Sequence, residues 1–373
     1  MIKTALVVGG GIGGMTVALA FARRGVAVTL IDSDPSWRVY GAGITINGMS
    51  LRAFDDLGVL NEIRTRGFIH GGMRPRMFTG KLLGNPMPPA PADSPPIMLG
   101  GGILRPVLHD ILSTRVRRAG IGVRLGVTVH KLAQDNDGVD ITLTDGLTAR
   151  YDLVVGADGI SSKTRAMIFP EAPTPQFTGQ GCWRIVADRP PEVDRAEIYF
   201  GGPMKLGMSP VSQEQMYVFM LEHVPDNRWF APETHVAHLD ALMAPFGGNV
   251  PAVRAALGEE SQIVYRPLEW LLLPDPWYTG RVLLIGDAAH ATTPHMASGA
   301  GLAVEDGLVL ADELAKTDDV AAALRSFMER RFARARLVVD TSVRSGELEI
   351  AGSDRVQQSS IMALATRALA KPY

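Results

Sequence analysis

The feature that most limits the folds open to this chain is a glycine-rich turn between an apolar strand and a helical run. Thr4-Ala5-Leu6-Val7-Val8 reads as a buried strand, Gly9-x-Gly11-x-x-Gly14 follows it, and Met15 to about Arg24 has helical character. A second apolar strand, Ala27 to Ile31, ends at Asp32, eighteen positions after the last glycine. This βαβ order, with an acid closing the second strand, is the context of a dinucleotide-binding turn. The first glycine permits the tight turn, the second lets backbone approach a pyrophosphate, and the third lets helix and strand pack closely. Amides at the helix start attract the phosphate charge, and Asp32 can accept hydrogen bonds from ribose hydroxyls. The turn by itself leaves NAD and FAD equally open.

Composition narrows the class. The 373 residues are 46% hydrophobic, enough for a sizeable core in two structural domains or one large α/β unit with insertions. Lys and Arg number 37 against 39 Asp and Glu, so no basic field exists to hold nucleic acid. The single cysteine, Cys182, forms no intrachain disulfide and reads as buried packing in a cytoplasmic protein; no Cys/His cluster has zinc-site spacing. Thr4 to Ala22 is uncharged and ends Ala20-Phe21-Ala22, like a signal peptide. Five glycines interrupt it and a second strand follows at once, so it is read as part of the fold, and no membrane span is expected.

Further along, Leu51 to Leu60 has helical spacing, and Asn85 to Pro96 is proline-rich and reads as a surface excursion. Helix is expected over Leu104 to Ala119, strands over Gly122 to Val129 and Val139 to Leu143, and a buried strand at Leu153-Val154-Val155. From Gly181 to Val224 short β-rich runs predict an antiparallel sheet. His235 to Leu257 looks helical and Gln262 to Leu273 extended; Arg281 to Ile285 is again a buried strand, and long helical patterns run from Leu302 towards Tyr373. The predicted fold class is α/β: a Rossmann-like parallel sheet interrupted by a mainly antiparallel substrate domain, with C-terminal helices. The expected division is a nucleotide domain over 1–72, 100–170 and 277–315, an excursion over 73–99, a substrate domain over 171–276 and terminal helices over 316–373.

Two more motifs follow apolar strands, Gly156-Ala157-Asp158-Gly159 and Gly286-Asp287-Ala288-Ala289-His290, where α/β sheets place their ligands. With the glycine turn, in this order, they give the chain its resemblance. From Ile2 to about Leu314 it resembles the FAD-dependent aromatic hydroxylases, single-component flavin monooxygenases of the para-hydroxybenzoate and salicylate hydroxylase type. The resemblance implies bound FAD, NAD(P)H as transient reductant, and hydroxylation of an aromatic or heteroaromatic ring, phenolic or hydroxypyridine-like, by dioxygen through a flavin hydroperoxide. It further implies that Asp287 binds the ribityl chain, Arg105 the pyrophosphate, and Asp158 both FAD and the nicotinamide nucleotide, with Thr45 and Val129 at other FAD-contacting positions.

After Pro294 the family commonly shows Gly-Gln-Gly; here Ala297-Ser298-Gly299-Ala300-Gly301 occupies the stretch, where alanine constrains the backbone. A helix starting near Gly301 would aim its amides at the pyrimidine end of the isoalloxazine. For substrate, His295 is the sharpest candidate, either a base that deprotonates a ring hydroxyl or a loop histidine bonded to backbone. Lys205 is either substrate-binding or a solvated strand-edge lysine, Tyr217 either pocket or core, and Trp183-Arg184 either pocket or domain interface. His290 reads as support for the Asp287 turn. Epoxidation or Baeyer–Villiger oxidation on the same scaffold, and an FAD-binding protein without turnover, are the alternative functions; flavin halogenation is disfavoured, since no Trp-x-Trp-x-Ile-Pro segment occurs. The substrate's identity and the oligomeric state, monomer or homodimer, stay open.

Overall fold

A computed structural model describes residues 2–39, 41–84, 94–352 and 355–373. Its organising element is a six-stranded sheet in the order Tyr278–Thr279, Val282–Leu284, Leu153–Gly156, Thr4–Val8, Ala27–Asp32, Gly122–Leu125. All neighbours are parallel except the terminal Tyr278–Thr279 pair. The two middle strands are buried on both faces, which is why their sequences are continuous apolar runs. Val8 pairs with both Gly156 and Ile31, and Gly156 with Leu284. That register brings the glycine turn, the Ala157-Asp158 segment and the Gly286-Asp287 segment together at the carboxyl edge of the sheet.

Against one face lie the helix Ile12–Ala22 and the long helix Gly299–Lys316, which approach closely because Gly13 meets Ala303 and Gly307 meets Thr16 and Val17. The helix Val320–Ile350 packs on the latter, and Arg355–Leu369 packs back on Val320–Ile350.

A second six-stranded sheet runs Val264–Trp270, Gln176–Asp188, Gln215–His223, Lys205–Pro210, Ala196–Phe200, Met73–Met77; only its last pairing is parallel. One face carries Trp183, Ile185, Met216, Val218 and Met220 against the helices His235–Met243 and Val250–Ala255. Period-2 alternation turns Arg184, Tyr217 and Phe219 to the other face. A three-stranded antiparallel sheet of Gly43–Ile46, Gly100–Leu104 and Phe68–His70 joins the two larger sheets. There the missing side chains of Gly43 and Gly102 leave room for the Tyr217 ring and the Pro210 carbonyl. Thr148–Tyr151, Val139–Leu143 and Val129–Gln134 form a small antiparallel sheet.

The structure corrects several expectations. The helix expected over Leu51 to Leu60 is two, Gly48–Asp56 and Leu60–Arg66, split at Gly58 with φ +77°. The expected strand Gly122 to Val129 breaks at Gly126, φ +75°, and the helix His235 to Leu257 breaks before Gly248, φ +64°. The joining sheet and the strand Met73–Met77 had no sequence expectation. Of the proline-rich stretch, residues 85–93 lie outside the described residues. Among the described residues no helix is long and apolar enough to cross a membrane.

Candidate active site

At the carboxyl edge of the parallel sheet a cavity of about 940 Å³ opens and continues to the inner face of the second sheet. The glycine turn forms one end. Gly9 has φ +105°, and a methyl group there would overlap the Ala157 carbonyl; one at Gly14 would overlap the Gly9 carbonyl. Gly11 faces open space at the cavity, so backbone alone borders whatever binds there. Asp32 tightens the turn: its Oδ2 accepts from the Gly10 amide at 2.7 Å and its Oδ1 from the Asp34 amide at 2.8 Å. Each oxygen keeps a lone pair for a ribose hydroxyl.

Arg105 begins the helix Arg105–Arg118 and borders the cavity, and its guanidinium has no hydrogen-bond or ion-pair partner among the described residues. Burial pulls its pKa down, and Arg184 nearby acts in the same direction. A largely desolvated, unpaired cation is costly unless an anion meets it. Three further buried polar atoms on the cavity wall, Thr45 Oγ1, His109 Nε2 and Ser209 Oγ, also lack a partner among the described residues. A glycine turn open to the cavity, an unmatched guanidinium and these orphaned polar atoms fit a large anionic dinucleotide such as FAD.

Asp287 projects into the cavity from the first position of a short helical turn. The surrounding protein raises its pKa by desolvation, against the opposing pull of His290 and Arg105. The turn depends on Gly286, φ +57°, and is held from beneath. Asp306 Oδ2 accepts from the Gly286 amide at 3.0 Å and bonds His290 Nε2 at 2.6 Å, while Oδ1 takes Arg331 Nε at 2.8 Å. Arg331 also reaches Glu305 at 2.8 Å, and Arg334 joins Glu305 to the Leu369 carbonyl. Burial would raise Asp306, but His290, Arg331 and these hydrogen bonds bring its pKa to about 2.

Past Asp287 the chain runs through Pro294–Met296 and turns at Ala297, a non-glycine residue in the left-handed region at φ +49°. Asn47 Nδ2 secures this turn by donating to the Met296 carbonyl at 3.0 Å and Ser298 Oγ at 2.8 Å. No side chain caps the helix Gly299–Lys316, whose first turn, with Gly299 and Ala300, borders the cavity. Its free amides give that end an anion-attracting character. Gly301 faces Ser50 instead, where a side chain would not fit.

The far wall carries charge. Lys205 Nζ meets Glu349 Oε1 at 2.9 Å, His295 Nε2 meets Glu349 Oε2 at 3.2 Å, and His295 Nδ1 meets Thr293 Oγ1 at 2.8 Å. His295 therefore borders the cavity with its side chain only 1% exposed and both ring nitrogens engaged. Burial lowers its pKa, partly opposed by Glu349 and reinforced by Lys205. Burial would raise Glu349, yet Lys205 and His295 bring it to about 2. Lys205 is no strand-edge lysine; it lies in an interior strand of its sheet. Tyr217 packs on Gly43, lines the cavity and is pushed to about 12 by burial, against the opposing effect of Arg184, whose guanidinium it contacts. Trp183 faces away, its Nε1 donating to Glu222 at 2.6 Å, so of that pair only Arg184 reaches the cavity.

Two residues singled out in the sequence stand differently. Asp158 braces the start of the next helix, whose cap is Ser162, accepting from Ser162 Oγ, Thr164 N and Thr164 Oγ1 at 2.5, 3.0 and 3.0 Å, so its carboxylate is engaged within the chain. Val129 lies 3% exposed in the core beside Val127 rather than on the cavity wall. Cys182 is buried with Leu221 and Leu268. Sequence reasoning missed Thr293, Glu349, Asp306 and Arg331. Arg331 had a signal: it shares the helical spacing of Leu324, Phe327, Ala335 and Val338, a charge at a core position.

Comparison with known proteins agrees with this geometry. A family model described as "FAD binding domain" matches residues 3–342. The aurachin C monooxygenase/isomerase of Stigmatella aurantiaca is 34% identical over 92% of this chain and 89% of its own. The 6-hydroxynicotinate 3-monooxygenase of Bordetella bronchiseptica is 28% identical over 89% of this chain and 88% of its own. Among solved structures, the tetrameric form of 2-methyl-3-hydroxypyridine-5-carboxylic acid oxygenase superposes with a TM-score of 0.79 at 25% identity, covering 99% of this chain and 96% of that one.

Proposed function

The chain belongs to the FAD-dependent aromatic hydroxylase family, and on that premise we propose that it uses NAD(P)H and dioxygen to hydroxylate a phenolic or hydroxypyridine-like ring. The observation that carries this reading is the single cavity that joins an anion-seeking dinucleotide cradle to the charged inner face of the second sheet. In it the glycine turn and Arg105 hold the pyrophosphate of FAD, Asp32 a ribose, Asp287 and Thr45 the ribityl region, and the amides opening Gly299–Lys316 the pyrimidine end of the isoalloxazine. Bound FAD supplies hydride acceptance from NAD(P)H and activation of dioxygen.

The remaining work falls to the chain. Ile198, Phe200, Phe219 and Leu221 give the substrate an apolar wall, and Arg184 and Lys205 attract a ring that carries negative charge. An ionised ring oxygen raises the electron density of the ring, which is the condition for electrophilic oxygen transfer. The two large sheets are taken as an FAD-binding unit and a substrate unit that meet across the cavity, and NAD(P)H supply makes the cytoplasm the place of work. The test is aerobic NAD(P)H consumption by the FAD-loaded protein against a panel of phenols and hydroxypyridines. We expect acceleration by some members with a hydroxylated product; FAD uptake with no member producing any would refute the reading.

A further inference from the structure

Thr293, His295 and Glu349 form an unbroken hydroxyl, imidazole and carboxylate line along the cavity wall, with spacings of 2.8 and 3.2 Å. Glu349 lies beyond the residues that the family model matches, on the last turn of Val320–Ile350. The direction of the line follows from charge. Glu349 is ionised, held so by Lys205 and His295, and a carboxylate only accepts. His295 therefore donates through Nε2–H, its Nδ1 carries the lone pair, and the Thr293 hydroxyl must donate to Nδ1. The Thr293 oxygen keeps its lone pairs, on a residue that borders the cavity.

We propose that Thr293 is the catalytic hydroxyl that takes the ring O–H proton of the substrate, with His295 and Glu349 behind it as positioning residues that hold the relayed proton. This rests on the hydroxylase reading above. The step balances: the substrate O–H bond breaks as its proton joins Thr293 Oγ1, and the original Thr293 proton passes to His295 Nδ1. The imidazolium so formed is stabilised by the Glu349 carboxylate, and the ring oxygen is left with the electron pair near Lys205 and Arg184. The charged groups around His295 are Glu349 on its helix and Lys205 on the second sheet; Gln180, beside Gly346, is neutral and donates weakly to Glu349 at 3.5 Å. On the same wall Lys205, ion-paired with Glu349, is a donor only, and Tyr217 contacts the Arg184 guanidinium, which cannot receive a relayed proton.

The test uses FAD-loaded protein and 4-fluorophenol, whose ionisation in the bound state is read by fluorine NMR across pH. In the wild type the bound phenol should ionise about one pH unit or more below its value in water, a tenfold gain. Thr293→Val should remove most of that gain, leaving the part that Lys205 and Arg184 supply, Thr293→Ser should retain it, and Glu349→Gln should reduce it, all with FAD affinity within about twofold of wild type by flavin fluorescence. Should Thr293→Val lose FAD or fail to fold, the Thr293→Ser and Glu349→Gln pair decides. An unchanged ionisation profile in the variants overturns the relay and leaves the hydroxylase reading intact. Absence of FAD uptake, or of any phenol binding, overturns that reading and the relay with it.

Discussion

Two histidine–carboxylate pairs stand five residues apart on one turn and do opposite work. His290 and Asp306 lie under the Gly286-Asp287 turn, with side chains 1% and 0% exposed, and Asp306 is bonded further by Arg331 and the Gly286 amide. His295 and Glu349 lie at the cavity wall, where Glu349 is 15% exposed and the line ends on a hydroxyl with lone pairs to spare. The first pair is enclosed by further bonds; the one ring nitrogen it leaves without a partner among the described residues, His290 Nδ1, is buried, and His290 does not border the cavity. The second is left open on one side, and that opening is what makes a proton-handling site out of the same chemistry.

The strongest test breaks the first pair from outside. Arg331→Leu removes a buried cation shared by Asp306 and Glu305 and leaves them only His290 and Arg334 as basic partners among the described residues, so we expect a loss of about 3–5 kcal/mol in denaturant unfolding of the apoprotein. Glu349→Gln, which keeps the shape of the second pair, should cost under about 2 kcal/mol.

Exchanging the two histidines for glutamine sharpens the contrast. His295→Gln should leave FAD affinity near wild type and lower hydroxylation by about one hundredfold or more. It should also divert NAD(P)H electrons to hydrogen peroxide, because an unactivated ring reacts slowly. His290→Gln should weaken FAD retention instead, since it loosens the turn that carries Asp287. If the two variants give the same profile, the division of labour is wrong.

Acid should find both pairs at once. Asp306 and Glu349 are each depressed to about 2, from ordinary values of 3.8 and 4.5. A depressed carboxylate contributes stability above its unfolded pKa, and that contribution fades as pH falls towards the folded value. Stability should therefore decline from about pH 4.5 towards 2, and Glu349→Gln should remove its share of that fall throughout, shifting the onset down towards the ordinary Asp306 value of 3.8. The measurement is the unfolding free energy against pH for both proteins.

The smallest effect concerns the turn beyond the second pair. Ala297 holds a left-handed conformation that glycine adopts without strain, so Ala297→Gly should change stability by no more than about 1 kcal/mol, in the stabilising direction, with FAD affinity kept.

The nucleotide half of the site was legible because its requirements are local. A tight turn at a sheet edge needs Gly9, Gly11 and Gly14 at fixed spacing, and a strand buried on both faces must be apolar throughout, so Leu6-Val7-Val8 and Leu153-Val154-Val155 announce themselves. The family resemblance supplied Arg105 and Asp287 by position, and both border the cavity, whereas Asp158 spends its carboxylate on Ser162 and Thr164 at a helix start that only the folded chain displays. The joining sheet stayed hidden because Gly43–Ile46 and Gly100–Leu104 are short and glycine-rich, and they pair across more than fifty residues. The substrate wall was hidden for the same reason. His295 and Glu349 are 54 positions apart and Lys205 and Glu349 are 144 apart, with no shared motif; each is an ordinary polar residue on its own element. Sequence determined which residues could carry charge and where the dinucleotide turn must sit. Which histidine would be locked in place and which would keep a free route to the cavity was decided only when the helix Val320–Ile350 laid Arg331 against Asp306 and Glu349 against His295, because burial and partnership are properties of packing and not of the chain.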